Sequence, residues 1–90
     1  MKSVQACSNT FLNEVHAELI SARDKFPGSG RLHGAFAKEA GEVAKALLKI
    51  LESGEPPENV YKECIQAAAM ACRLAVEGDP SFAYKGVLGD

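Results

Sequence analysis

The stretch RLHGAFAKEAGEVAKALLKILE, from Arg31 to Glu52, decides the fold. Its apolar residues recur every three or four positions, which is the spacing of one face of an α-helix. They are Leu32, Phe36, Ala40, Val43, Leu47, Ile50 and Leu51. Gly54 follows and is placed to end the helix, because glycine adopts the left-handed cap at little cost. The stretch therefore predicts a long amphipathic helix.

Helical spacing also marks the segments before and after this stretch. In the first, Phe11, Val15 and Leu19 form one apolar row and Leu12 and Ile20 another, with Glu14 and Glu18 among the residues of a solvated face. The third helix is predicted from about Pro57 to Glu77, with proline near its first turn and Gly78 after its end.

The end of the chain predicts a shorter helix. Asp79 and Pro80 form a typical N-cap and first-turn pair, and the helix is expected to run through Tyr84, followed by a frayed tail, GVLGD. No segment alternates as a β-strand does. We therefore expect one all-α domain over residues 1–90, built of three long helices and a short C-terminal helix.

The third helix is apolar nearly all round. Val60, Cys64, Ala67, Ala71 and Leu74 form one face, and Ile65, Ala69 and Val76 lie roughly opposite. Such a helix is usually covered on more than one side, and a 90-residue chain has few helices with which to cover it. We expect the bundle to be completed by oligomerisation, as a dimer or tetramer.

Composition excludes several classes of protein. The chain is 47% hydrophobic and 24% charged, with a formal net charge of −2, which argues against nucleic-acid binding. No apolar run approaches the roughly 18 residues that span a membrane. The first residues lack the apolar core of a signal peptide, and the three cysteines lack C-x-x-C spacing. We expect a cytoplasmic protein with reduced thiols.

The second and third helices echo each other. Advancing 24 positions takes Lys38 to Lys62, Glu39 to Glu63 and Glu42 to Gln66. Each helix thus carries an oxygen-bearing pair at i, i+3, and the short SGEPPE connection (residues 53–58) favours antiparallel packing that makes the pairs face each other. Three facing carboxylates repel unless a cation neutralises them, and hard oxygen donors suit Mg²⁺ or Mn²⁺.

A second interpretation of the same residues is structural. Glutamates at i, i+3 are common on solvated helices, and Glu42 has Lys38 and Lys45 at i−4 and i+3. The acidic pairs therefore also fit a surface ladder of weak ion pairs.

The sequence resembles the MazG-like branch of the all-α nucleoside triphosphate pyrophosphohydrolases. The resemblance lies in KEAGEVAKALLKIL (38–51) and VYKECIQAAAMACRLAVEGD (60–79), with ARDKFPGSGRLHGAF (22–36) similar to the segment that leads into the family's first metal helix. It implies an enzyme that splits a nucleoside triphosphate into monophosphate and pyrophosphate with Mg²⁺, as a dimer or tetramer. The E-x-x-E half of the family signature is Glu39 to Glu42, and the E-x-x-D half is Glu63 to Gln66. Glu39, Glu42 and Glu63 are then the expected catalytic metal ligands.

Gln66 departs from the signature, since glutamine replaces the aspartate. An amide oxygen still binds Mg²⁺ but brings no charge, so the site would hold its metal more weakly. Two rival functions stay open: a helical interaction module that keeps the fold without the chemistry, and a relative of phosphoribosyl-ATP pyrophosphohydrolase.

Several other residues are candidates for substrate contacts or for packing. Lys25, Arg31, Lys38 and Lys85 are candidates to bind phosphates, and Phe26 to stack on a base, although we favour Phe26 as a core residue. His16 is expected to be partly buried and His33 exposed, too far apart in sequence to suggest zinc. Lys45, Lys49, Lys62 and Arg73 are expected on a solvated face.

Overall fold

The computed structural model describes residues 2–28 and 30–89, and this part of the chain is all-α. Helix α1 spans Val4–Lys25, α2 spans Leu32–Ser53, and α3 spans Glu58–Glu77. A single 3₁₀ turn follows at Pro80–Phe82. No β-strand occurs among the described residues, so the predicted fold class is confirmed at the level of three long helices.

The helix ends follow from local chemistry. The Ser3 hydroxyl accepts a hydrogen bond from the Ala6 amide at 3.0 Å and caps α1. Gly54 lies in the left-handed region, with φ of 65°, and its amide donates to the Ile50 carbonyl at 3.1 Å. The prediction that α2 ends at Gly54 is therefore confirmed. Glycine suits this position because the left-handed conformation strains residues that carry a side chain.

Helix α3 lies in the middle of the arrangement. Both α1 and α2 pack on α3, whereas no Cα atom of α1 comes within 8 Å of one in α2. The four residues between α2 and α3 are too few for anything but a tight reversal, so these two helices run antiparallel. The result is an open row of helices with a groove between α1 and α2.

The core of the single chain is small. Only Val15, Ala22, Leu32 and Ala69 are buried apolar residues in the described part of the chain. The first predicted row of α1 is buried or half-buried, while the second stays in solvent: Leu12 is 59% and Ile20 51% exposed. The single chain therefore leaves much of its predicted packing surface open.

The C-terminal segment differs from its prediction in two ways. The expected fourth helix is only the 3₁₀ turn, begun by Asp79, whose carboxylate accepts from the Ser81 amide at 2.9 Å. The tail is not frayed up to residue 89: the Val87 and Leu88 amides donate to the carbonyls of Ala75 and Val76 at the end of α3. These two bonds satisfy carbonyls that the helix itself leaves free.

Gly86 makes this return of the chain possible. It is buried at φ of 71°, and a Cβ there would lie 2.5 Å from the Gly78 nitrogen. The two glycine backbones therefore pass each other at a distance that no side chain permits.

None of the helices described here is both long enough and apolar enough to cross a membrane.

Candidate functional site

A cleft of ≈ 350 Å³ opens where the three helices meet, and we call it the three-helix cleft. Its walls are mostly apolar, with four polar side chains among them. It is lined by Glu18, Ala22 and Phe26 of α1 and its end, Ala35, Lys38 and Glu39 of α2, and Gln66, Ala69 and Met70 of α3. Two of the four predicted metal ligands, Glu39 and Gln66, therefore share this cleft.

Glu39 is the electrostatically unusual residue of the cleft. Burial raises its pKa above the ordinary value of 4.5, and the negative charges of Glu63, Glu42 and Glu18 raise it further, against the opposing effect of Lys38. Its Oε2 atom is buried and has no hydrogen-bond partner. A buried carboxylate oxygen without a partner costs free energy, so a ligand that paired with it would be stabilising.

The other two predicted ligands line a neighbouring cleft of ≈ 230 Å³, which we call the lysine cleft. Glu42 and Glu63 both line it, and Lys45 and Lys49 provide its positive charge. Its full lining is Glu42, Lys45, Ala46, Lys49, Glu55, Asn59 and Glu63. Glu39 and Gln66 therefore line one cleft and Glu42 and Glu63 the next, while the charges of Glu63 and Glu42 still act on Glu39.

The acidic residues have the right chemistry to bind a metal ion, but they are not arranged around a single point. The unpartnered oxygen of Glu39 and the carboxylates whose charge it feels have the donor chemistry that Mg²⁺ prefers. Within residues 2–28 and 30–89, however, no three His, Cys, Asp or Glu side chains are arranged to hold one ion. The side chains as placed do not form a ready metal cage.

The predicted substrate residues divide into two groups. Phe26 and Lys38 line the three-helix cleft, whereas Lys25, Arg31 and Lys85 do not. Lys85 lies instead in a groove with Pro80 and Tyr84 at the C-terminal end. The interpretation of Phe26 as a core residue is wrong for the single chain, since it is 70% exposed, beyond the last turn of α1.

Glu18 and Met70 belong to the cleft and were not predicted for it. Glu18 was assigned to a solvated face, yet it lies three residues after Val15 and four before Ala22, the two buried positions of α1. That spacing places it on the packed edge of the helix. This spacing in the sequence could have identified Glu18 as a further carboxylate close to Glu39.

Arg73 corrects another expectation, because its side chain is 2% exposed rather than solvated. Its guanidinium donates to both carboxylate oxygens of Glu77, at 2.9 and 3.1 Å, and to the Gly28 carbonyl at 2.9 Å. Arg23 adds a second cation 3.3 Å from Glu77. The hydrogen bonds from Arg73 lower the pKa of Glu77 and outweigh the effect of burial. This cluster holds the loop after α1 against α3.

Asp79 forms a second polar anchor at the start of α2. It is 1% exposed and accepts from the His33 amide at 3.0 Å and from the His33 ring Nδ1 at 2.6 Å. Burial alone would raise the pKa of Asp79, but the hydrogen bonds from His33 and Ser81 outweigh it and lower the pKa to about 2. His33 is 45% exposed, as predicted, whereas His16 is exposed rather than partly buried.

No family model, no curated protein and no solved structure matches the chain significantly. The resemblance to the MazG-like proteins therefore stays a prediction from the sequence.

Proposed function

We propose that the protein is a Mg²⁺-dependent nucleoside triphosphate pyrophosphohydrolase of the MazG-like type, acting as a cytoplasmic homo-oligomer, either dimer or tetramer. The observation that carries the proposal is Glu39: a buried, unpartnered carboxylate oxygen surrounded by the charges of Glu63, Glu42 and Glu18. Such a group is poised for a cation, because a cation offsets both the repulsion and the missing hydrogen bond.

The residues take distinct roles in this proposal. Glu39, Glu42 and Glu63 would hold Mg²⁺ or Mn²⁺, with Gln66 as an uncharged fourth donor. When bound, the ion would neutralise phosphate charge and lower the pKa of water. Lys38 would pair with a phosphate oxygen and the exposed Phe26 ring would contact the base, since both lie at the three-helix cleft.

Two observations favour a second function, a helical interaction module without catalysis. The carboxylates are split between two clefts in the described residues, and Gln66 removes one of the charges that the signature expects. A domain that had kept the fold and lost the chemistry would have these two features.

The experiment that tests the proposal measures pyrophosphate release separately with Mg²⁺ and with Mn²⁺. The purified chain is incubated with a panel of nucleoside triphosphates and Mg²⁺ or Mn²⁺, and pyrophosphate is measured separately from phosphate. We expect pyrophosphate from at least one triphosphate, with a loss of at least about 100-fold in the Glu39→Gln variant. Glu52→Gln is the matched control, because Glu52 is an exposed glutamate on the same helix and lines neither cleft. Pyrophosphate from no triphosphate under either metal would favour the interaction module.

A further inference from the structure

Helix α2 carries an apolar seam on its solvent side. The residues Ala37, Ala40, Ala44, Leu47 and Leu51 are spaced alternately by three and four positions, which is the repeat of a coiled-coil contact. All five are exposed, and Leu47 and Leu51 are 50% and 84% exposed. The positions that the chain does cover on α2 lie on another face and include Leu32, Phe36, Val43 and Ile50. The seam is therefore an apolar surface that no part of residues 2–28 and 30–89 covers.

The surface area indicates how much is left uncovered. The chain exposes 6384 Å², whereas a compact monomer of its size exposes about 5,100 Å². Its radius of gyration is 14.7 Å, against about 12 Å for a compact domain of 90 residues. The excess of about 1,300 Å² exceeds the roughly 800 Å² that each partner buries in a standard interface. The uncovered surface of the whole chain is thus larger than the area that one partner of a stable dimer buries.

We propose that two copies pair through this seam, with their α2 helices antiparallel and Ala44 on the two-fold axis. The seam has alanine at its N-terminal end and leucine at its C-terminal end. In the antiparallel register Ala37 meets the partner's Leu51 and Ala40 meets the partner's Leu47, so small residues face large ones. A parallel pair would stack alanine on alanine at one end and leucine on leucine at the other, which packs less evenly.

Because the seam is complementary to itself, a second copy of this chain is a better partner for it than an unrelated protein. The same patch must meet itself in a two-fold dimer, and the seam does so because its sequence of small and large side chains reverses about its middle residue. No charged side chain occupies any of its five positions. The proposal rests on the oligomeric part of the proposed function and is independent of the chemistry.

The first test is the oligomeric state of matched variants. We expect light scattering on the eluting native chain to give about 19 kDa, twice the 9.6 kDa of one chain. The double change Leu47→Lys with Leu51→Lys should halve this mass. Leu12→Lys should leave it unchanged, because Leu12 is equally apolar and 59% exposed but lies on α1. Circular dichroism checks that each variant keeps its helix content. A folded native monomer, or a double variant that stays dimeric, would overturn the proposal.

The second test reads the register of the two helices from cross-links. The chain carrying Ala37→Cys and Leu51→Cys is oxidised, and the cross-linked peptides are identified by mass spectrometry, so the native cysteines are separated from the introduced ones. We expect position 37 joined to position 51 of the other copy. Cross-links of position 37 to position 37 and of 51 to 51 would show that the two α2 helices pair in parallel, and would overturn the proposed antiparallel register. Lys45→Cys is the control that should not cross-link across the seam. Pyrophosphate release plays no part in either test, so an inactive dimer would count against the proposed chemistry alone.

Discussion

At the scale of single residues, the pair Glu39 and Gln66 sets the character of the three-helix cleft. Both line it, and antiparallel packing brings them together from α2 and α3. Glu39 brings a buried oxygen without a partner, and Gln66 brings a neutral amide where the resemblance expects a carboxylate. Glu18 adds its negative charge from α1. The cleft is therefore short of positive charge, and its stability should respond to whatever supplies it.

Replacing Gln66 with Asp should lower the stability of the protein without metal and raise it with Mg²⁺. Without metal the new carboxylate joins those of Glu39 and Glu18 in a partly buried cleft, and we expect a loss of about 1 kcal/mol. With millimolar Mg²⁺ we expect the same variant to gain stability over the native chain, because the added negative charge strengthens cation binding. Melting curves in EDTA and in Mg²⁺ measure both effects.

The control for this reversal is Glu58→Gln, a change of charge at an exposed position of the same helix. It should shift the melting temperature by the same small amount with and without metal. If Gln66→Asp also shifts both curves equally, Gln66 does not face a bound cation, and the acidic pairs belong to a solvated face.

At the scale of elements, polar anchors in and after the last turns of α3 add to the small apolar core around Ala69. Arg73 ties the loop after α1 to α3 through Glu77 and Gly28. Asp79 ties the start of α2 to the segment after α3 through the amide and ring of His33. Arg73 and Asp79 are almost completely buried, so the removal of either would leave its partners with fewer hydrogen bonds.

Arg73→Met should cost about 2–4 kcal/mol of unfolding free energy. The change keeps an unbranched apolar stem but removes both bonds to Glu77 and the bond to the Gly28 carbonyl. The cost stays below the upper range for a broken buried pair, because Arg23 still lies near Glu77. Urea denaturation measures it. Lys62→Met is the control on the exposed side of α3 and should change stability by less than about 0.5 kcal/mol. Equal costs for the two variants would show that Arg73 is not an anchor.

Asp79 should make part of the stability depend on pH. Its pKa is about 2 in the folded chain against 3.8 ordinarily, so the unfolded chain binds its proton first as the pH falls. The stabilisation is therefore complete above pH 3.8 and is lost between pH 3.8 and about 2. Asp79→Asn should be less stable at pH 7 and should lose less on acidification, measured by urea denaturation from pH 7 to 2. Asp24→Asn, an exposed aspartate on α1, should keep the native acid dependence. An unchanged acid slope in Asp79→Asn would contradict this role.

The sequence predicted the elements better than it predicted these anchors. Periodic apolar residues, Gly54 and Gly78 were enough to place α2 and α3 within a residue or two, because helix ends depend on nearby residues. The burial of Arg73 was missed because it depends on Gly28, which is 45 residues away in sequence. The docking of the tail was missed for the same reason, since its amides bond to carbonyls of α3 that no local pattern marks.

The candidate site was predicted only in part. The i, i+3 spacing predicted that the oxygen-bearing side chains of α2 and α3 lie together, and in the structure Glu39 and Gln66 line one cleft. The spacing did not show that Glu42 and Glu63 turn toward the neighbouring lysine cleft, because that depends on how the helices are rotated against each other. The contribution of Glu18 was missed because it comes from α1, whereas the spacing argument compared only α2 with α3.

At the scale of the whole molecule, the open row of helices leaves much apolar surface of the single chain exposed to solvent. Helix α3 supports α1 and α2 on its flanks, and no Cα atoms of those two lie within 8 Å of each other in the described residues. The apolar core is limited to a few side chains, and leucines of α2 stay in solvent. In the dimer proposed above, a chain with so little covered surface would gain much of its stability from the second copy.

Thermal stability should therefore depend on protein concentration. For a dimer that unfolds to two separate chains, mass action lowers the melting temperature as the protein is diluted. With an unfolding entropy of about 2 cal/mol/K per residue over two chains, a tenfold dilution should lower it by about 4 °C. Differential scanning fluorimetry or circular dichroism over a hundredfold range of concentration measures this. The Leu47→Lys and Leu51→Lys double variant should melt at a lower temperature that does not change on dilution. A native chain whose melting temperature is equally independent of concentration would show that the single chain is stable alone, and the exposed seam on α2 would then need a different explanation.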